Sequence, residues 1–280
     1  MRRIGSLVVF SALCAVAAEA AGQADLRRLL RQRGSDVKKE KVGRGAKTNL
    51  GRAALVTDGD FVMPFIANGD GLRTRIRLLN MENKAVDLEL FFIDDDGFDA
   101  PVDLRDLGTV ENVRLRIPAR GVTTVETNAR GDDQVVWSFF DAGTNRIAAA
   151  VSVEIEGEDG LLGVSYPATH FEDYVTETFF DNTEGSETEI SVINLDTRDS
   201  TIRVIVRDVD GRQIHTSTRD VAGFGAAGFV PADAVRAARG ARGSVEFQQS
   251  DSSKAGVAVV AVQFFDSGAI NIFPGFSVLE

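Results

Sequence analysis

Most of the chain alternates apolar and polar residues with a period of two. In 73–80, Thr74, Ile76 and Leu78 alternate with arginines, which is the pattern of a strand that buries one face. Similar alternation predicts further strands over 86–92, 113–117, 122–127, 134–140, 146–155, 161–166, 174–180, 187–194, 201–207, 212–221, 226–230, 242–247, 256–265 and 269–273. Between these strands only 232–239, which follows Pro231, is expected to be helical.

The chain repeats itself at an offset of 114 residues. Residues 70–97 align with 184–211 without a gap, and seven of these 28 positions are identical. The identical pairs are Gly71/Gly185, Thr74/Thr188, Ile76/Ile190, Asn80/Asn194, Asp94/Asp208, Asp96/Asp210 and Gly97/Gly211. Two copies of one domain explain this pattern, and we place them at 57–168 and 169–280.

Many short alternating strands separated by turn residues are typical of an antiparallel sandwich. We therefore predict an all-β protein made of two tandem antiparallel β-sandwiches with Ig-like or Greek-key connectivity. A jelly roll is the alternative topology.

The N-terminus predicts export. Arg2 and Arg3 precede an apolar run over 7–18, and Ala18-Glu19-Ala20 is a small-x-small cleavage site, so 1–20 is predicted to be a signal peptide. The run is too short to span a bilayer, which needs about 20 residues. An uncleaved anchor is the alternative. We expect a secreted, periplasmic or cell-surface protein with no transmembrane span after cleavage.

The mature chain is predicted to lack cysteine. The only cysteine, Cys14, lies inside the predicted signal. The mature chain is therefore expected to contain no disulfide, no thiol nucleophile and no thiolate metal site.

Charge divides the chain into a basic segment and an acidic body. Residues 21–52 contain ten basic and three acidic residues, a net charge of +7, whereas 53–280 has a net charge of −19. Leu26, Leu29 and Leu30 predict a short helix at the start of a tether over 21–56. Two interpretations of the tether are open: it touches anionic lipid or polysaccharide, or it is a solvated spacer. The acidic body argues against nucleic acid as a partner.

Four motifs in the first copy carry a family resemblance. They are Phe65-Ile-Ala-Asn-Gly69, Thr74-Arg-Ile-Arg-Leu-Leu-Asn80, Phe91-Phe-Ile-Asp-Asp-Asp-Gly97 and Ile117-Pro-Ala-Arg-Gly121. The chain resembles uncharacterised bacterial secreted proteins made of tandem Ig-like β-sandwich repeats. The resemblance implies an extracellular or periplasmic module, and it brings no catalytic residue with it.

The acidic stretch before Gly97 is the one candidate metal site. A calcium loop of the EF type would place an oxygen ligand where Phe92 stands. An Asp-x-Asp-Gly sequence between two strands instead fits a tight hairpin. A weak calcium site of another kind, formed by Asp94, Asp96, Asp99 and Asp103, is the alternative; no other cofactor is expected.

Catalytic chemistry has little support in the sequence. The only histidines are His170 and His215, and 163–167 lacks the second glycine of a hydrolase elbow. A carboxylate pair of the glycosidase type stays open because the body contains 38 acids. Trp137 alternates with Val135 and Phe139, which predicts an inward core position; a sugar-stacking platform is the alternative.

We therefore expect an exported, non-catalytic, surface-associated binding or structural module. Its expected partner is a cell-surface polysaccharide or another exported protein. A carbohydrate-binding module is the first alternative, and a carboxylate-dependent enzyme acting on glycosides is the second.

Overall fold

The structure is a computed structural model that describes residues 26–31, 60–69, 71–143, 145–157, 160–170, 175–249, 256–267 and 269–277. The predicted signal peptide at 1–20 lies outside the described residues, as does the tether over 21–56 except for 26–31. Within the described residues the protein is nearly all-β, and its antiparallel sheets are consistent with the two predicted tandem sandwiches.

The first sandwich is built from two sheets of opposing strands. Its strands are β1 Asp60–Asn68, β2 Leu72–Asn80, β3 Val86–Ile93, β4 Val102–Leu104, β5 Gly108–Val110, β6 Asn112–Ile117, β7 Val122–Glu126, β8 Gln134–Asp141, β9 Ile147–Gly157, β10 Gly160–Pro167 and β11 Thr169–His170. One sheet has the order β11-β1-β8-β3-β6 and the other the order β10-β9-β2-β7. Strands β4 and β5 form a separate hairpin.

The second sandwich repeats this plan. Its strands are β12 Val175–Asp181, β13 Ser186–Asn194, β14 Ser200–Asp208, β15 Gln213–Val221, β16 Ala226–Phe229, β17 Arg242–Gln249, β18 Val257–Phe265, β19 Ile270–Pro274 and β20 Phe276–Ser277. The sheet orders are β20-β12-β17-β14-β15 and β19-β18-β13-β16. Each strand therefore occupies the position of its repeat partner, and the β4–β5 hairpin is an addition to the first copy.

The strand order departs from that of an immunoglobulin domain at the first two strands. Immunoglobulin domains place their first two strands in the same sheet. Here β1 lies beside β8 and β2 lies beside β9, in the opposite sheet. Since β12 and β13 pair with β17 and β18 in the same way, the two sandwiches share this arrangement.

The predicted helix over 232–239 is shorter in the structure. Pro231–Ala234 forms one turn of α-helix, and Arg236–Ala238 continues as a 3-10 turn. Pro231 occupies the first helical position, where its missing N–H costs no hydrogen bond. Val235 is extended between the two turns.

The two sandwiches share an apolar joint, in addition to the cluster in which β18 and β19 pack against the first sandwich. The first contributes the outer face of its five-stranded sheet, and the second contributes the end of its four-stranded sheet with the turn before β16. We call these surfaces the sheet face (Val62, Phe91, Ile93, Trp137 and Phe139) and the turn edge (Ile193, Leu195, Phe224, Ala226 and Ala258). Because the sheet face is buried, β8 and β3 are covered on both sides.

A short helix from the predicted tether packs against both sandwiches. In helix α1 (residues 26–31) the side chains of Leu26 and Leu30 are buried within the apolar cluster that joins the first sandwich to β18 and β19. This agrees with the helical spacing of the leucines. No helix in the described part of the chain is long and apolar enough to cross a membrane.

Candidate functional site

The hairpin that follows β3 binds its own backbone. Asp94 Oδ1 accepts hydrogen bonds from the N–H groups of Asp96 (3.0 Å) and Phe98 (2.9 Å). Gly97 adopts φ +82°, which a glycine tolerates without strain. Burial raises the pKa of Asp94, and the backbone hydrogen bond from Phe98 opposes that shift. One oxygen of this carboxylate is thus used to close the turn.

The equivalent hairpin of the second sandwich has the same hydrogen bonds. Asp208 Oδ1 accepts from the N–H groups of Asp210 (3.0 Å) and Arg212 (2.9 Å), and Gly211 has φ +76°. The residues shared by the two repeats are therefore the residues that form the turn.

Of the other three carboxylates of the candidate calcium site, Asp96, Asp99 and Asp103, that of Asp103 is engaged in a side-chain hydrogen bond. Asp103 Oδ2 accepts a hydrogen bond from Asn128 Nδ2 at 2.8 Å. Asp99 lies opposite Ile93 in an isolated bridge, and burial followed by repulsion from Glu111 raises its pKa. Among the residues that the structure describes, no three His, Cys, Asp or Glu side chains are grouped so as to hold a metal ion.

Trp137 lies on the outside of its own sandwich, which corrects the predicted inward position. It belongs to the sheet face and is buried by the second sandwich rather than by the opposite sheet. Its Nε1–H donates to the carbonyl oxygen of Phe224 at 2.9 Å, and its ring stacks on Phe139. Trp137 is therefore part of the joint and is not available to stack on a sugar.

The arginines that alternate along β2 hold two glutamates on the outer face of the four-stranded sheet. Glu126 accepts hydrogen bonds from Arg75 (2.9 Å), Arg105 (2.7 Å) and Arg73 (3.2 Å). Burial alone would raise the pKa of Glu126, but these three hydrogen bonds lower it to about 2. Arg75 also donates to Glu154 at 2.7 Å. Glu126 is ionised at neutral pH and is unsuited to act as a general acid.

The carboxyl with the most raised pKa lies under helix α1. Glu189 is 1% exposed, and burial raises its pKa to about 7 although Arg31 donates to it from Nε at 2.7 Å. Arg31 also pairs with Glu187 at 2.8 Å. A group with this pKa has a value suited to acid–base chemistry, but helix α1 covers it and its side chain is buried.

A concave surface that is open to solvent lies on the second sandwich. A cavity of about 570 Å³ is lined by Phe179, Val209, Glu177, Asp181, Arg242 and neighbouring residues. Phe179 is 55% exposed, and Phe276, 50% exposed, lies beside it with ring centroids 5.6 Å apart and planes tilted by 53°. Large aromatic side chains with this exposure are typical of binding surfaces rather than of a bare solvated sheet.

Asp181 gives this cavity a fixed negative charge. Burial would raise the pKa of Asp181, but hydrogen bonds from the Thr183 N–H and Oγ1 and the charge of Arg242 leave it lowered. The carboxylate therefore serves as an acceptor and not as a proton donor at neutral pH. Arg242 Nε lies 3.8 Å from Asp181 Oδ2.

The sequence analysis did not single out this aromatic pair. Phe179 and Phe180 are adjacent in β12, and since alternate residues of a strand point to opposite faces, only one of them enters the core. Phe180 is buried in the core of the second sandwich and Phe179 points out. The sequence signal that could have identified the exposed Phe179 is a pair of adjacent aromatic residues in a strand that also contains polar residues.

Comparisons with known proteins leave the function unassigned. No protein-family model matches the chain, and no curated protein is similar to it. Among solved structures, the CupB2 chaperone of Pseudomonas aeruginosa has 12% identity and a TM-score of 0.19, covering 72% of this chain and 91% of its own. A glycosyl hydrolase family 2 member of Bacteroides cellulosilyticus has 9% identity and a TM-score of 0.17, covering 76% of this chain and 28% of its own. The Pleurotus ostreatus lectin in its apo form has 10% identity and a TM-score of 0.15, covering 81% of this chain and 85% of its own. Likenesses of this size carry no argument about what this chain does.

Proposed function

We propose that the protein is an exported, non-catalytic binding or structural module that meets its partner through the open face of the second sandwich. The observation that carries this proposal is the contrast between two equivalent surfaces. The outer face of the five-stranded sheet is buried in the first sandwich, whereas the same sheet in the second sandwich leaves Phe179 and Phe276 exposed.

The carboxylates support a non-catalytic role. Retaining and inverting glycosidases both need one carboxyl that is protonated at the reacting bond. In the open cavity the pKa of Asp181 is lowered, and the carboxyl with a pKa near 7, Glu189, is covered by helix α1.

Carbohydrate binding is the second candidate function. The half-exposed rings of Phe179 and Phe276 stand next to Glu177, Asp181 and Arg242, which supply hydrogen-bond acceptors and donors beside an apolar surface. Sugar sites combine these two elements, stacking surfaces and a few fixed polar groups.

Sedimentation with insoluble polysaccharides tests both candidates. Residues 21–280 would be mixed with purified peptidoglycan or cellulose, and the bound fraction measured for the wild type, Phe179→Ala and Leu107→Ala. Carbohydrate binding predicts that the first substitution releases the protein and that Leu107→Ala, on the β4–β5 hairpin, does not. Release of reducing ends that Asp181→Asn abolishes would contradict the non-catalytic proposal.

Calcium is tested by thermal unfolding. A bound ion at 100 times its dissociation constant would add about 2.7 kcal/mol to the free energy of unfolding. Because Asp94 and Asp103 are engaged in hydrogen bonds within the fold, we expect millimolar calcium to leave the unfolding temperature unchanged. An increase that Asp94→Asn and Asp99→Asn remove would establish the calcium site instead.

Export is tested on the intact chain. Expression of residues 1–280 in a bacterium, followed by fractionation and mass measurement, is expected to recover a protein that begins at Ala21 outside the cytoplasm. A cytoplasmic protein that retains its first 20 residues would overturn this part of the proposal.

A further inference from the structure

The joint inside the chain shows how one sandwich of this type binds another. Its hydrogen bonds include the Ala226 N–H to the carbonyl of Asp95 (3.0 Å) and Trp137 to the carbonyl of Phe224 (2.9 Å). The hairpin after β3 thus lies against the turn before β16. The sheet face of one sandwich contacts the turn edge of the next, so the contact joins two different surfaces.

Each sandwich has the topology to supply both surfaces. The turn at 118–121 in the first copy matches that at 222–225 in the second: Gly121 N–H donates to Pro118 at 3.0 Å and Gly225 N–H donates to Ala222 at 2.9 Å. Arg120 and Phe224 both have φ +55°. The first sandwich therefore has a second turn edge, and the second sandwich has a second sheet face, that the internal joint leaves unused.

The exposed apolar side chains lie at these two unused surfaces. In the described residues the large exposed apolar side chains are Leu79, Val122, Leu107, Phe179, Val209 and Phe276. Leu79 and Val122 occupy the positions of the joint residues Ile193 and Ala226, since both pairs are matched across their strands in the same register. Phe179, Val209 and Phe276 lie on the second sheet face or its hairpin, which leaves Leu107 as the exception.

One pair of these residues matches a contact of the internal joint. Val209 is the repeat partner of Asp95, and Val122 is the repeat partner of Ala226. Because Ala226 and Asp95 touch inside the chain, the same docking between two molecules brings Val122 of one copy against Val209 of another. Both valines are exposed in the single chain.

Charge complements this apolar contact. The unused sheet face carries Glu177 with Asp208 and Asp210 at its hairpin, and the unused turn edge carries the exposed Arg77 and Arg120. The face is more polar than its counterpart: Arg207 and Glu246, paired at 2.7 Å, stand where the first sandwich has Ile93 and Phe139. A contact here is expected to be weaker than the internal joint and more sensitive to salt.

We propose that the partner of the open face is a second copy of this chain, which docks its first sandwich there as the second sandwich docks on the first within one molecule. The inference rests on the proposed binding role of the open face and names its partner. A contact between two different surfaces does not close on itself in a pair, so each added copy leaves the same two ends and the assembly grows as an open chain or a ring.

Sedimentation velocity over a concentration series of residues 21–280 tests the proposal. We expect the weight-average sedimentation coefficient to increase with concentration and to fall when salt is raised. Val122→Glu and Val209→Glu, one at each unused surface, are each expected to give monomers. Leu107→Glu, an equally exposed apolar residue away from both surfaces, is expected to associate like the wild type.

A mixture of the two blocked variants is the decisive arm. Val122→Glu retains an intact sheet face and Val209→Glu retains an intact turn edge, so the mixture is expected to form dimers and nothing larger. Phe179→Glu replaces Val209→Glu if that variant melts at a lower temperature than the wild type. A wild type that is monomeric at every concentration, a mixture that stays monomeric, or variants that each associate alone like the wild type would overturn the proposal. Polysaccharide binding by a monomer would overturn it while leaving the proposed binding function intact.

Discussion

Asn80 and Asn194 show, at the scale of single residues, why certain positions are identical in the two repeats. Asn80 Nδ2 donates to the carbonyls of Lys84, Ile117 and Pro118, and its Oδ1 accepts from the Glu82 N–H. Asn194 makes the same four hydrogen bonds one repeat later. A side chain with two donors and an acceptor on one planar group can bind the loop after β2 and the turn after β6 together in this way.

Removing this amide is expected to destabilise the second sandwich. Asn194→Ala leaves buried carbonyls without their donors, and each such group costs about 1–3 kcal/mol, so we expect a loss of about 2–4 kcal/mol in the free energy of unfolding. Urea unfolding followed by tryptophan fluorescence and circular dichroism measures it. Asn271→Ala, an exposed asparagine of β19, is the matched control and should change stability by less than about 0.5 kcal/mol. Equal losses in both variants would contradict the role of the network.

The residues shared by the repeats were visible in the sequence, but their partners were not. The identity of Asn80 and Asn194, or of Asp94 and Asp208, marks positions that the fold constrains. Two of the three carbonyls that Asn80 binds are 37 and 38 residues away along the chain, and no local pattern specifies such a distance. The sequence therefore predicted which positions the fold constrains, but not which residues those positions contact.

At the scale of elements, helix α1 links a basic segment to an acidic strand. Leu26 and Leu30 bury one side of the helix, and Arg31 pairs with Glu187 and Glu189 of β13. Arg27 lies 4.8 Å from the ring centroid of Phe264. The charge contrast seen in the sequence thus becomes a specific contact in these six residues.

Glu189 is expected to make the stability of the protein depend on pH. Its pKa is raised from 4.5 to about 7 in the folded state, so the folded protein holds a proton that the unfolded chain releases between these values. Stability is therefore expected to fall as the pH rises from about 4.5 to about 7, by about 3 kcal/mol in total. Glu189→Gln should abolish that fall in urea unfolding measured across this range.

Glu126 provides a control because its pKa is shifted in the opposite direction from that of Glu189. Its pKa is lowered to about 2, so its contribution to stability is present above pH 4.5 and is lost as the pH falls towards 2. Glu126→Gln should alter the profile only below about pH 4.5. If Glu189→Gln leaves the fall between pH 4.5 and 7 unchanged, the buried carboxyl is not its source.

Alternation predicted the strands that bury one face, but β1, which is buried almost throughout, was missed. The alternation in 73–80 gave β2, whereas β1 is a nearly continuous apolar run, FVMPFIA, and was not predicted as a strand. A strand covered on both sides has no polar face to create a period of two. The same reason explains Trp137, whose alternation with Phe139 was assigned to the core instead of to the joint.

At the scale of the whole molecule, the hairpin after β3 fixes how the two sandwiches meet. A side chain on Gly97 would overlap the carbonyl oxygen of Gly223, and one on Gly225 would approach the carbonyl oxygen of Asp95. Main chain therefore packs directly against main chain at this point. Burial of Trp137 and Phe139 around it contributes about 2–3 kcal/mol for each ring.

Alanine substitutions at two glycines separate the free-energy cost of straining the turn from the cost of disturbing the joint. Gly97 and Gly211 occupy equivalent turns with φ near +80°, but only Gly97 faces another sandwich, and nothing lies within 4 Å of a Cβ placed on Gly211. Gly211→Ala should cost about 1–2 kcal/mol from backbone strain. Gly97→Ala should cost about 1–3 kcal/mol more, from the overlap.

Calorimetry of the two variants checks this expectation. If the joint couples the sandwiches, Gly97→Ala should also split one unfolding transition into two, while Gly211→Ala keeps one. Equal losses and equal transition shapes would show that the hairpin does not set the joint.

Because one contact of the joint is made between main-chain atoms, that contact places few demands on the side chains of the repeats that carry it. The hydrogen bond between Ala226 and Asp95 uses no side-chain atom, and the second copy has Val209 in place of Asp95 with the same turn. Two repeats can then drift apart in sequence, as these have over most of their aligned positions, while a glycine and a few backbone angles preserve the way they stack. The common origin of such repeats is therefore easier to recognise from the backbone conformation of their turns than from the amino-acid sequences of their strands.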